Sequence, residues 1–255
     1  MELGVTVMSR RKQREQQFLS GGGTGVWVSA SSDLATCALS LLRLSLEDRV
    51  RPVFRTVDNH SSAHAVGSIG LVVAALEAWL NEAIMTLSTM EPEIRGLATQ
   101  PVDKKYYAVP LKVAQRSPSH RDDLAWLLEL RHEITHYLPR PIPEEGNVPS
   151  WLVQLHRRNL FITSGHPRVD FVLGQKLGSY RLAYWAWETV ESVVTDFLGA
   201  LGELADFASG TAANFSHYKT VCRPTALSEF DLHYGLTLTA GGDQTTTITN
   251  KDKPS

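Results

Sequence analysis

Proline placement constrains this chain more than any other feature. Positions 53–91 contain no proline, and within them Leu76, Trp79, Leu80, Ala83, Ile84 and Leu87 lie three and four apart. Spacings of three and four build one helical face, and a proline inside a helix removes a hydrogen bond and crowds the preceding turn. A long helix is therefore predicted from the start signal at Asn59 to Ser62 up to about Met90, stopped near Pro92. Glu77 and Asn81, four apart, share another stripe of it.

Prolines and apolar spacing divide the rest of the chain as well. Asp33 is the expected N-cap for a helix carrying Leu34, Cys37, Ala38, Leu41, Leu42, Leu44 and Leu46, with Pro52 beyond its end. Tyr106 to Val109 reads as a short strand limited by Pro110. A helix starting at Ser119 or Asp122 carries Leu124, Leu127, Leu128, Leu130, Ile134 and Tyr137, and Pro139 stops it. Four prolines between Pro139 and Pro149 require a loop, and Trp151 to Leu160 reads as a short helix. A last strong helix is expected from about Ser179 to Phe207, with Leu182, Trp185, Ala186, Thr189, Val193 and Phe197 inward. Residues 1–32 read as irregular, and the polar, threonine-rich stretch 239–255 is expected to be disordered. The expected fold is all-α, a helical bundle. Along the chain it divides into an N-terminal basic and glycine-rich segment with a helix (1–58), a helical domain (59–207) and a C-terminal extension (208–255).

Several function classes are excluded early. Two cysteines, Cys37 and Cys222, cannot build a disulfide framework or a cysteine-rich zinc module, and a reduced, cytoplasmic setting is expected. A net charge of −2 argues against a general nucleic-acid coat protein but leaves room for a local basic patch. The most apolar run, Ile69 to Leu80, is interrupted by Glu77, so no membrane association is expected. The basic cluster Arg10, Arg11, Lys12 and Arg14 is followed by no apolar core of a secretory signal. The glycine-rich stretch Ser20 to Gly25 lacks the Gly-Lys-Ser/Thr ending of a phosphate loop.

Chemistry concentrates in Leu130-Arg131-His132-Glu133-Ile134-Thr135-His136-Tyr137. Read as His-Glu-x-x-His, it places His132 and His136 one turn apart as two zinc ligands, with Glu133 as base for a zinc-bound water. The extended form of that signature fails, because Pro139 and Ile142 occupy its further positions; Glu188 and Glu191 are the candidate third ligands. Read instead as Arg-polar-x-x-x-His, the segment offers Arg131, a guanidinium, with His132 and His136, whose imidazoles can carry a proton near neutral pH.

On this second reading the chain resembles the HEPN superfamily of helical ribonucleases and related modules. The run Leu76-Glu77-Ala78-Trp79-Leu80-Asn81-Glu82 is similar to a first core helix of that family. Leu127 to His132, with His136, Tyr137 and Pro139 following, is similar to its motif helix and stop, and Ala183 to Glu191 to a closing helix. The resemblance spans about 60–207. It implies metal-independent cleavage of RNA, without cofactor, to a 2′,3′-cyclic phosphate and a 5′-hydroxyl. It further implies His136 as proton carrier, Arg131 as phosphate clamp and His132 as an assisting group. Arg140, Arg157, Arg158 and Tyr137 are the expected substrate contacts, and Glu77 and Asn81 the structural support. A homodimer, an antitoxin or inhibitor protein, and a role as toxin or defence effector are implied as well. Arg140, His156, Arg157, Arg158, His166 and Arg168 follow the motif closely, which suits a phosphate backbone. A non-catalytic HEPN-like module that binds RNA, nucleotide or protein, and a zinc hydrolase, remain open alternatives. Trp79, Trp126, Trp185 and Trp187 are expected in the core and not as base-stacking platforms.

Overall fold

A computed structural model describes residues 29–50, 59–119, 121–136, 149–158, 160 and 179–222. Of these, 85% are helical and none is in a strand, so the described chain is all-α. The longer helices are α1 (Ala30–Val50), α2 (Asn59–Leu87), α3 (Val102–Ala114), α4 (Arg121–Thr135), α5 (Ser150–Arg157) and α6 (Tyr180–Leu201). Two short ones follow, α7 (Ala205–Ser209) and α8 (Tyr218–Val221), and 3-10 turns fill Pro92–Thr99, Gly202–Leu204 and Ala212–Phe215.

Three expectations are corrected. Tyr106 to Val109 is helical, inside α3. Val102, Lys105, Tyr106, Val109 and Pro110 are all buried, and that helical spacing outweighs the local β-like composition and the cost of Pro110 within the helix. The last long helix ends at Leu201 because Gly202 takes φ +61°, a left-handed conformation glycine tolerates. Asp33 is not the cap of α1; it sits in the helix's first turn, and the helix begins at Ala30. The order continues past 207, where Ala208, Phe215, Tyr218 and Cys222 are buried. The basic cluster at 10–14, the glycine-rich stretch, the proline loop and the tail at 239–255 lie outside the described residues.

The chain resolves into two compact units, each discontinuous. One draws on Met1–Cys37, Leu71–Leu127 and Thr189–Ser216, the other on Ala38–Gly70, Leu128–Glu188 and His217–Ser255.

In the first unit the core is built around Trp79. Its ring meets Phe197 at 5.4 Å and Phe215 at 6.2 Å between centroids, both edge-on. Asp196 accepts hydrogen bonds from the Tyr106 hydroxyl and the Ser119 amide, tying α6 to α3 and to the approach to α4. Lys105 is buried to 1% exposure, and its ammonium meets Glu77 at 3.2 Å; a buried charge needs such a partner.

The start of α1 is capped from a distance. The Glu82 carboxylate accepts from the Ser31 amide at 3.1 Å, the Ser31 hydroxyl at 2.7 Å and the Ser29 hydroxyl at 3.1 Å. With its one proton on Glu82, Ser31 Oγ accepts from Thr211 at 2.7 Å. First-turn amides have no partner within their own helix, and a carboxylate there also favours the helix dipole. Glu82→Ala should therefore destabilise the fold by about 1–3 kcal/mol. Urea titration checks this, and a change under about 0.5 kcal/mol would dissociate the cap from stability.

In the second unit the Trp187 indole donates to Ser68 Oγ at 3.1 Å, and Ser68 donates to the Ala38 carbonyl at 2.9 Å. Tyr184 and Trp187 pack on Tyr218 at 5.2 and 5.5 Å. Gly67 serves close approach, since a Cβ there would stand 2.8 Å from Leu41 Cδ1. The stretch Ala63–Leu87 of α2 is long and apolar enough to cross a bilayer, with mean hydropathy 1.6, and half of that window is buried within the protein.

Cys222 is 1% exposed and its sulfur is hydrogen-bonded by Tyr180. Burial pushes its thiol from the ordinary 9.0 up to about 11, with Arg43 pulling the other way; burial raises Tyr180 too. Cys37 is exposed. Maleimide at neutral pH should label Cys37 alone, with Cys222 reacting only in denaturant, as mass spectrometry would read. Because the Cys222 thiol titrates higher when folded, its contribution is complete below pH 9 and is lost as pH rises toward 11, while the loss from Tyr180 begins only above pH 10 and continues beyond that interval. The thermal midpoint should fall across that interval.

Candidate functional site

Helix α4 carries the motif. Leu124, Leu127 and Leu130 are fully buried at spacings of three, which fixes the rotation of the helix. At about 100° per residue, His132 and His136 fall on the side away from Leu130 and about 40° from each other. Both are exposed. Their ring centroids are 4.9 Å apart, with the planes inclined at 48°. The His136 amide donates to the His132 carbonyl at 2.9 Å and continues the helical turn to the motif's end. Thr135 Oγ1 donates to the Arg131 carbonyl at 2.6 Å, satisfying another last-turn acceptor.

Arg131 is half-buried and lies about 140° around the helix from His136, so the two side chains leave the helix in different directions. It forms no ion pair among the described residues. Arg157 ends α5 and Arg158 follows it, both exposed and in the same compact unit as Arg131, His132 and His136. Tyr137 and Arg140 lie outside the described residues, as do His166 and Arg168.

Glu77 and Asn81 belong to the other unit, where Glu77 pairs with Lys105. Asn81 Oδ1 is buried without a hydrogen-bond partner among the described residues. Trp79, Trp185 and Trp187 are buried and Trp126 is half-buried. Three of the four are thus core, as expected.

Among the described residues no group of three or more His, Cys, Asp or Glu side chains is placed to hold a metal ion. Glu188 is exposed and Glu191 half-buried on α6.

Sequence reading missed Lys105 and Glu82. Glu82 sits at the end of the Leu76 to Glu82 run, but its partners are about fifty positions away in the chain, and no local pattern announces them. Lys105 occupies an inward position of the α3 stripe, a signal available once that segment is read as helix.

No family model, no curated protein and no solved structure matches the chain.

Proposed function

We propose that this protein is a metal-independent endoribonuclease with a HEPN-like helical domain at about 59–207, acting in the cytoplasm as a toxin or defence effector. The observation that carries the reading is the exposed end of α4, where two imidazoles stand 4.9 Å apart beside a half-buried arginine. His136 takes the proton from the RNA 2′-hydroxyl as that oxygen attacks the adjacent phosphate. Arg131 stabilises the negative charge on the phosphate oxygens by charge-assisted hydrogen bonds. His132 assists, and Arg157 and Arg158, with Tyr137 and Arg140, contact the backbone of the substrate. As the 2′-oxygen bonds to phosphorus, the bond from phosphorus to the 5′-oxygen breaks and that leaving oxygen takes a proton from solvent, so the products are a 2′,3′-cyclic phosphate and a 5′-hydroxyl.

Since Arg131 and His136 diverge on a single helix, one phosphate is best served by two copies of the motif across a two-fold axis. Light scattering should give twice the chain mass at micromolar concentration; a strict monomer that still cleaves RNA would remove the dimer from the mechanism. An antitoxin or inhibitor protein that covers α4 is the partner that the toxin reading implies.

The reading is tested by incubating the purified protein with total RNA in EDTA, beside a His136→Ala control. Cleavage in EDTA to cyclic-phosphate ends, absent in the control, is the expected result. RNA that is bound but left intact would favour the non-catalytic binding module.

A further inference from the structure

We infer that His132 and His136 form a two-imidazole site for a first-row divalent transition cation, and that this ion blocks the end of α4 instead of serving it as a cofactor. The blocking role rests on the ribonuclease reading; the binding site does not.

A metal–nitrogen bond of about 2.0–2.1 Å puts the centre of each imidazole about 3.2 Å from the ion. Two rings sharing one ion then have centres about 4.5 Å apart at a right-angled N–metal–N geometry and about 5.2 Å apart at the tetrahedral angle. The observed 4.9 Å falls between these. The hydrogen bond from the His136 amide to the His132 carbonyl holds both residues on one regular turn, so the second imidazole engages an ion already held by the first. Both rings are exposed, which leaves an open approach and lets solvent complete the coordination sphere. Imidazole selects nickel, copper and zinc over magnesium and calcium. A hydrolytic zinc centre takes three protein ligands, and no third His, Cys, Asp or Glu joins this pair among the described residues. Once His136 donates its ring lone pair to a metal, that lone pair can no longer take a proton from a 2′-hydroxyl. Occupancy and cleavage are therefore mutually exclusive.

The test uses the full chain, stripped with EDTA and exchanged into a non-coordinating buffer. Calorimetric titration with nickel chloride should show one saturable equivalent per chain and no response to magnesium chloride. His132→Ala and His136→Ala should each weaken nickel binding by about tenfold or more, because each removes half of the chelate. His217→Ala, at an exposed histidine of α8's approach, should leave it unchanged. Circular dichroism confirms that the variants are folded. No saturable binding, or binding that survives both α4 substitutions, overturns the site. With RNA present, cleavage should fall in step with nickel occupancy and return on adding EDTA. Cleavage that requires the ion overturns the blocking role. A metal-free protein that never cleaves RNA removes that role together with the ribonuclease reading, while the calorimetry still decides the site.

Discussion

On the proposed ribonuclease reading, alanine at Arg131 or at His136 should each lower the rate of RNA cleavage by about a hundredfold or more, whereas Glu133→Gln should leave it within about twofold. The magnitudes follow from the assigned roles. A positioned general acid–base group is worth about 10²–10⁴ in rate, and one donor to developing oxyanion charge about 10²–10³. The zinc reading inverts part of this pattern. There Glu133 is the base for a bound water and its loss abolishes activity, while Arg131 has no assigned part. His136 is needed under both readings, so its loss alone separates nothing; Arg131 and Glu133 make the distinction. His132→Ala should have the smaller effect of an assisting group. His136 is exposed, so its replacement should leave the thermal midpoint in place. Arg131 is half-buried, and Arg131→Gln keeps most of its packing volume while removing the charge. Activity that disappears with chelator, returns with zinc and tolerates Arg131→Ala would reverse the assignment.

How much of this was legible in the sequence depends on the distance along the chain over which each feature is decided. The inward face of α6, from Leu182 through Trp185, Ala186, Thr189 and Val193 to Phe197, is buried throughout, because a 3.6-residue period is a local signal. The pairing of His132 with His136 was legible for the same reason: four positions on a helix are one turn, and the ring separation follows from that. Tyr106 to Val109 misled because its composition suits a strand. The helical spacing that overrides it becomes visible only when Val102 and Lys105 are read with it. For α1, seven apolar residues suggested a broad stripe, but the buried seam is Ser31, Ala35, Ala38, Leu42 and Ser45, and Leu44 is exposed. The inward side of α1 is thus marked by small residues, which hydrophobicity does not reveal. The capping of that helix by Glu82 and the pairing of Lys105 with Glu77 are decided by tertiary contact alone. No spacing rule reaches them.

The largest stability effect should come from Trp79→Ala. Trp79 is 1% exposed and meets the edges of Phe197 and Phe215, so its removal leaves a cavity between α2, α6 and the turn at Ala212–Phe215. Truncating a buried tryptophan costs about 3–5 kcal/mol, combining lost transfer energy with an unfilled void. Whole-protein stability is typically about 5–15 kcal/mol, so this one change removes about a fifth of it or more. Trp79→Phe keeps an aromatic partner for both rings and should cost clearly less, since each edge-to-face pair contributes about 0.5–1.5 kcal/mol beyond its buried area. Urea denaturation followed by far-UV circular dichroism would measure both. The pair of variants also tests whether the tryptophan has a direct part in function. A core residue with no direct part in function affects activity only through the folded fraction, so on the proposed ribonuclease reading Trp79→Phe should match the wild-type rate wherever it is fully folded. A Trp79→Ala protein that loses under about 1 kcal/mol would mean that the site collapses around the missing ring. A folded Trp79→Phe protein with reduced RNA affinity would instead make Trp79 a base-stacking group, against its burial.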